Sequence, residues 1–260
     1  MGPLKFIRIL LFLFALALVV VIGYSGTQLW GIHQNNAQEA EMHNRLLRYR
    51  PVRQMAVSAE DSDDATVNTE SGPHVNQSIA DLQAIYPDAI GWLTVPNTQI
   101  DYPFVQGVDN DTYLHLDLDQ RWAAAGTIFL DYRNGRDFTD FNTILYGHHM
   151  RNGSMFGTLQ QFSEQAFFDA NPVGTLFLVD KTYEIEFIAF AVIAPNDSVI
   201  YAPAITEDAD RVAFLDHVRR IARHYRDINA TADERIVTLS TCNYEFNDAR
   251  MVLIGRLVEV

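Results

Sequence analysis

The sequence predicts a mostly β fold, closing into a barrel of about eight strands, with an N-terminal helix and a long helix before the penultimate strands. Three observations lead there. Eight short runs rich in Val, Ile, Leu, Phe and Tyr are punctuated by Gly, Pro, Asn and Asp. In one of them, "TYEIEF", Tyr183, Ile185 and Phe187 alternate with Thr182, Glu184 and Glu186, the pattern of a strand with one buried face. Apolar residues make up 48% of 260, enough for one substantial core, and no internal repeat points to a solenoid.

The N-terminus carries Lys5 and Arg8, then an uncharged apolar run from Ile9 to Tyr24. That run is slightly short of the ~20 residues needed to cross ~30 Å of hydrocarbon. Embedding Leu4 to Trp30 closes the gap, with Lys5 and Arg8 reaching back to the cytoplasmic side. The expectation is an uncleaved anchor over residues 1–30 with a cytoplasmic tip. A cleaved signal peptide is the rival, but no clean A-x-A site follows. Residues 31–76 form a second region. Its first part reads as a juxtamembrane helix up to about Arg50, stopped by Pro51. Residues 57–76 are acidic, Ser/Thr-rich and almost without large apolar side chains, so they predict a flexible stalk. The folded domain is expected over residues 77–260.

Within it, "SIADLQAIYPDA" predicts a short helix ended by Pro87. The strands follow in "IGWLTVP", "TQIDYPFV", "GTIFLDY", "NTILYGH", "GTLFLVD", "TYEIEFIAFAVI", "RIVTLSTC" and "MVLIGRLVEV". A helical patch is expected around "SMFGTLQQFSEQAFF". The long helix lies in "TEDADRVAFLDHVRRIARHYRD", where Val212, Leu215, Val218, Ile221 and Tyr225 recur three or four apart. Its acidic start and basic end suit the helix dipole.

Composition also excludes functions. A net charge of -14 is a poor match to phosphate, so nucleic acid is not an expected partner. A single cysteine, Cys242, excludes an intramolecular disulfide and a cysteine zinc cluster. Cys242 ends a strand, where a scaffold can present a reactive group. Two readings stand for it: a small buried hydrophobe, or a nucleophile. The second needs an imidazole nearby, because an ordinary thiol is mostly protonated at neutral pH. "NTILYGHHM" delivers His148 and His149 at another strand end, and Arg250 lies one loop beyond Cys242. A guanidinium there can hold a carbonyl oxygen or the oxyanion it becomes. Together the three would make an acyl-transfer site.

"TLSTC" followed by Arg250, with "YGHHM" and "GSMF" upstream, resembles the signature of sortases, those of class B in particular. The resemblance extends over "IGWLTVPNTQIDYPFVQGVDNDTYLHLDLD" and "AGTIFLDYRN", and so over most of residues 78–260. It implies a sortase-like barrel and a membrane-tethered cysteine transpeptidase with the catalytic domain outside the cell. Such an enzyme cleaves a C-terminal sorting signal of secreted proteins through a thioacyl intermediate. It then transfers them to an amine of a peptidoglycan precursor or a pilin subunit. The resemblance implies Cys242 as nucleophile, His148 as general acid/base with His149 as the neighbouring candidate, and Arg250 as the oxyanion partner. It implies substrate-binding roles for Asn110, Leu114, Tyr201, Ser240 and Thr241. Asn243 departs from an acidic residue in other members, which leaves its side chain without an assigned role. No metal and no cofactor is implied. Two other readings remain: a Cys/His peptidase that only hydrolyses, and a membrane-tethered binding module without catalysis. His148 precedes Cys242 in the chain, the reverse of the papain order.

Overall fold

The structure, a computed structural model, describes residues 3–52, 75–242 and 249–260. The chain divides into two compact units, Met1–Arg45 and Leu46–Val260. The first is helix α1 (Pro3–Leu46), a single element of 44 residues. At 1.5 Å per residue it is about 66 Å long. Its most apolar window has a mean hydropathy of 2.3 and buries nothing within the protein, so Leu11, Phe12, Phe14 and their neighbours lie exposed. It is long and apolar enough to cross a membrane. The apolar and polar halves expected of residues 9–46 share one uninterrupted helix. A 3₁₀ turn (Leu47–Tyr49) follows, and Arg50 then becomes extended at φ -61 and ψ 120. Pro51 accounts for that change, since its ring disfavours helical backbone at the preceding residue. Most of the acidic segment expected as a stalk lies outside the described residues. Its last residue, Asn76, donates its N–H to Val179 O at 2.7 Å.

The second unit is the barrel. Its elements are α2 (Gln77–Ile85), β1 (Ala89–Thr94), β2 (Asp101–Val105), α3 (Thr112–His115), β3 (Ile128–Leu130) and β4 (Asn142–His148). A 3₁₀ segment (Gly157–Ser163) and α4 (Gln165–Ala170) come next. Then follow β5 (Val173–Leu178), β6 (Thr182–Ile193), α5 (Asp208–Ile221), β7 (His224–Tyr225), β8 (Ile236–Cys242) and β9 (Arg250–Glu259). The strands lie in the order β5-β1-β2-β3-β4-β8-β9-β6-β7, and β5 also pairs with β6. That last pairing closes eight strands on themselves, with β7 a two-residue addition outside the ring. Closure removes the exposed edges that an open sheet would present. Each of the eight runs expected to be a strand is one, and "TYEIEF" buries Tyr183, Ile185 and Phe187 as its alternation requires.

The lumen is packed with Phe104, Leu130, Leu145, Phe156, Phe162, Phe187, Leu239 and Leu253. A second apolar cluster covers the outer face of β6, β8 and β9, where Ile188, Ile236, Val252 and Ile254 meet Phe214 and Val218 of α5. β8 is therefore buried on both sides. Helix α5 packs most of the expected stripe, with Val218 buried and Leu215 and Ile221 against the same cluster. Val212 is instead 50% exposed, and Phe214 is buried, edge-on against Phe141 at 5.5 Å. The chain also leaves the helix before Tyr225. Arg223 and Arg226 donate their N–H groups to Phe190 O and Ile188 O, which makes β7. Pairing with β6 satisfies backbone groups that another helical turn would have left facing the sheet.

One buried polar centre stands out. Asp131, just after β3, has a fully buried carboxylate. Oδ1 accepts from the N–H and Nε of Arg133, and Oδ2 accepts from Arg133 Nη2, Asn110 Nδ2 and the Tyr146 hydroxyl, all within 3.0 Å. Burial works to raise its pKa, but the hydrogen bonds from Arg133 outweigh it and hold the carboxyl below the usual range. We expect Asp131→Ala to lower the unfolding free energy by about 3 kcal/mol at neutral pH. A depressed folded pKa means this contribution is complete above the unfolded value of about 4 and is lost as pH falls through the folded value. Denaturant unfolding of the detergent-solubilised chain should show the gap between wild type and variant narrowing toward pH 3. A gap independent of pH would contradict the assignment.

Candidate active site

Strands β4 and β8 run parallel in unbroken register, from Asn142 opposite Ile236 to His148 opposite Cys242. Paired parallel strands lie about 4.8 Å apart, so the backbones of His148 and Cys242 are neighbours. Arg250 opens β9. It pairs with Ile193 at the end of β6, and two residues on, Val252 pairs with Ser240 of β8. The ends of β4, β6 and β8 and the start of β9 thus meet at one rim of the barrel. Asn243 and the rest of residues 243–248 lie outside the described residues.

The imidazole of His148 is half-buried, and its Nε2 sits 2.8 Å from Leu114 O at the end of α3. A carbonyl only accepts, so Nε2 carries a proton in this arrangement. Gly126 makes this contact possible. It has φ +57, and a Cβ there would lie 2.5 Å from the carbonyl oxygens of Tyr113 and Leu114. The N–H of Thr127 meanwhile donates to Tyr113 O at 2.9 Å. His149 is turned elsewhere, its Nε2 3.2 Å from Gln160 Oε1.

Beside this rim lies a cavity of about 280 Å³, lined by Tyr146, Asp197, Tyr201, Ser240, Thr241 and Arg250 with the Pro195–Ser198 turn. The Tyr201 hydroxyl meets Ser240 Oγ at 3.0 Å, and its ring stacks on Tyr146 at 6.1 Å. Its carbonyl accepts from Arg133 Nη2 at 3.1 Å, which links this wall to the Asp131 centre. Burial, reinforced by the Asp131 charge, pushes the Tyr146 phenol far up, so it stays neutral and donates. The Asp197 carboxyl is lowered despite burial, because His217 and the backbone N–H groups of Ile200 and Val199 bond to it.

The structure thus brings Tyr201, Ser240, Thr241 and Arg250 to one cavity, and it joins Leu114 to His148 through a backbone carbonyl. Asn110 is not among the described lining residues. Its amide is committed to Asp131 Oδ2, and its Oδ1 accepts from the N–H of Tyr132. The Thr241 hydroxyl accepts from the N–H of Met251 at 3.0 Å, which fastens the start of β9 to the end of β8. Sequence reasoning passed over Tyr146, Asp131, Asp197 and Gly126. Only Asp131 carried a signal, an acid closing the apolar run "GTIFLD". Among the described residues no group of three or more His, Cys, Asp or Glu side chains converges on a metal-sized site.

Gly126→Ala should push the last turn of α3 off its neighbours and cost about 1–3 kcal/mol of stability. It should also release Leu114 O from the His148 ring. Nitrogen NMR of the ring checks this: a His148 spectrum identical in wild type and variant would show that Gly126 does not hold the imidazole.

The chain matches the family model "Sortase domain" over residues 93–258. It is 38% identical to sortase B of Listeria monocytogenes over 206 residues, which are 78% of this chain and 81% of that protein. A sortase B–substrate complex of Staphylococcus aureus superposes with a TM-score of 0.74 at 28% identity, covering 87% of this chain and 99% of that one. A sortase B solved in complex with triglycine gives 0.73 at 28% identity, covering 86% and 99%. With a strand ring, a rim and a family model that agree over most of the barrel, the chain belongs to the sortase family and is a class B sortase.

Proposed function

We propose that this sortase is a membrane-anchored transpeptidase in which Cys242, His148 and Arg250 carry the chemistry. The observation behind this reading is the register that sets His148 opposite Cys242 at the rim where β9 begins with Arg250. The Cys242 thiolate adds to the scissile carbonyl of a C-terminal sorting signal. Arg250 balances the charge that develops on the carbonyl oxygen. As the C–N bond breaks, the leaving amine takes a proton from the His148 imidazolium, leaving a thioacyl enzyme. An incoming amine, from a peptidoglycan precursor or a pilin subunit, gives its proton to the imidazole as it attacks the thioester, and the C–S bond breaks to return the thiolate beside the imidazolium. Thiol and imidazole titrate as a pair.

The cavity walled by Tyr201, Ser240 and Thr241 takes the signal peptide. Leu114 contributes its carbonyl to His148, and Asn110 supports the α3 segment from behind through Asp131. The sortase B relatives solved with a substrate and with triglycine support a peptide signal and an amine acceptor as the two partners. Helix α1 anchors the enzyme, with Lys5 and Arg8 placing the N-terminus in the cytoplasm and the barrel outside. Residues 31–76 then act as juxtamembrane segment and stalk, and residues 77–260 as the catalytic domain.

The full chain in detergent, given a library of sorting-signal peptides and an amine acceptor, tests this. Wild type should cleave and incorporate the amine. Cys242→Ala should abolish both, and Arg250→Ala should lower kcat/KM by about 10²–10³-fold. Cleavage that yields only the hydrolysed product at every amine concentration favours a Cys/His peptidase. No cleavage, with no labelling of Cys242 by a thiol reagent, favours a non-catalytic binding module.

A further inference from the structure

We propose that His217 of α5 is a positioning residue that sets one wall of the substrate cavity. The proposal rests on the reading of that cavity as the sorting-signal site. It concerns a residue that meets the cavity's described lining through Asp197.

The wall is organised by one carboxylate. Asp197 Oδ1 accepts from the N–H groups of Val199 and Ile200, each at 3.1 Å, and the carbonyl of Asp197 accepts from the N–H of Tyr201 at 3.1 Å. Three N–H groups of the turn that presents Tyr201 therefore depend on where Asp197 sits. Its other oxygen, Oδ2, lies 2.9 Å from His217 Nε2. Both side chains are only 15% exposed, so the bond is largely sheltered from competing water.

The orientation of the His217 ring follows from its second neighbour. Arg220 Nη2 lies 2.6 Å from His217 Nδ1. A guanidinium has donors and no acceptor, so Nδ1 must offer its lone pair. The single ring proton is then on Nε2, pointing at Asp197. Arg220, one helical turn further on, thus selects the tautomer that can hold the carboxylate. The apolar grip of α5 on the sheet is made by Phe214 and Val218. His217 instead reaches the cavity turn, and it couples α5 to the position of Tyr201.

Glutamine reproduces this pattern, with an amide N–H for Asp197 and an amide oxygen for Arg220, while leucine reproduces only the bulk. In the full chain, His217→Leu should raise KM for the signal peptide by about tenfold, as expected for a lost hydrogen bond to a charged group. Its kcat should stay within about twofold, because the rim with Cys242 and His148 is held by β4 and β8 rather than by this turn. His217→Gln should restore KM to near the wild-type value. Arg220→Met, on the exposed side of the helix, frees the tautomer without touching the core, and should raise KM by a smaller factor even if His217→Leu fails to fold. Tyr201→Ala serves as the reference. If it raises KM while the His217→Leu and Arg220→Met variants bind peptide normally, His217 does not position the wall and the cavity reading stands. Gln as damaging as Leu would also overturn the proposal. If Tyr201→Ala leaves KM unchanged, the cavity is not the signal site, and that reading and this one both fall.

Discussion

The parallel pairing of β4 with β8 is the constraint on which the rest of the structure depends. It is one of two parallel contacts in a barrel whose other pairings are antiparallel. The strands it joins are separated by α4, β5, β6, α5 and β7, because a parallel pair cannot be closed by a tight turn. Each strand supplies its last residue to the rim, so the register alone decides whether His148 and Cys242 are neighbours. A slip of one residue would turn every side chain of β8 to the opposite face. Val237 and Leu239 would leave the lumen, and Thr238 and Ser240 would enter it. The apolar packing of the barrel therefore holds the register, and through it the placement of the two residues proposed for the chemistry.

The sheet delivers strand ends, but it does not build the cavity. That is done by polar groups beneath the turn that carries Tyr201. Asn142 of β4 donates to Ile200 O and Ala202 O while accepting from Thr238 of β8. Arg133, fixed by Asp131, donates to Tyr201 O, and Asp197 ties the same turn to α5. Three carbonyls of the turn, those of Ile200, Tyr201 and Ala202, are thus claimed by side chains from other elements. Such a network orders the wall only because its members are mutually satisfied, since a buried carboxylate without its donors would be costly. The cavity wall consequently reports the position of β3, β4 and α5 at once.

Much of this was legible in the sequence where the pattern was local. Strands β1 to β6, β8 and β9 followed from short runs of β-branched and aromatic residues between turn-formers. Cys242, His148 and Arg250 were legible as residues at the ends of such runs, with chemistry that calls for one another. The helical patches were legible too, and so was most of the packed face of α5. Its first turn was not: a periodicity of three or four admits either Val212 or Phe214 ahead of Val218, and only the position of Phe141 on the adjoining strand end selects Phe214. The two-residue β7 was invisible because nothing in His224 or Tyr225 requires a strand, and β6 supplies the pairing.

The sequence by itself determined the kind of each major element, the apolar span at the N-terminus and the residue types available for acyl transfer. Each of these rests on periodicity, on steric preference or on the chemistry of one side chain. Only the tertiary structure decided that β5 meets β6 to close the ring, that Asn110 serves Asp131, and that Thr241 fastens β9. It also decided which nitrogen of His148 and of His217 carries the proton. Those outcomes depend on groups brought into place by the fold, the carbonyl of Leu114 and the guanidinium of Arg220 in register with a packed barrel. A hydrogen bond exists only where folding brings donor and acceptor within reach.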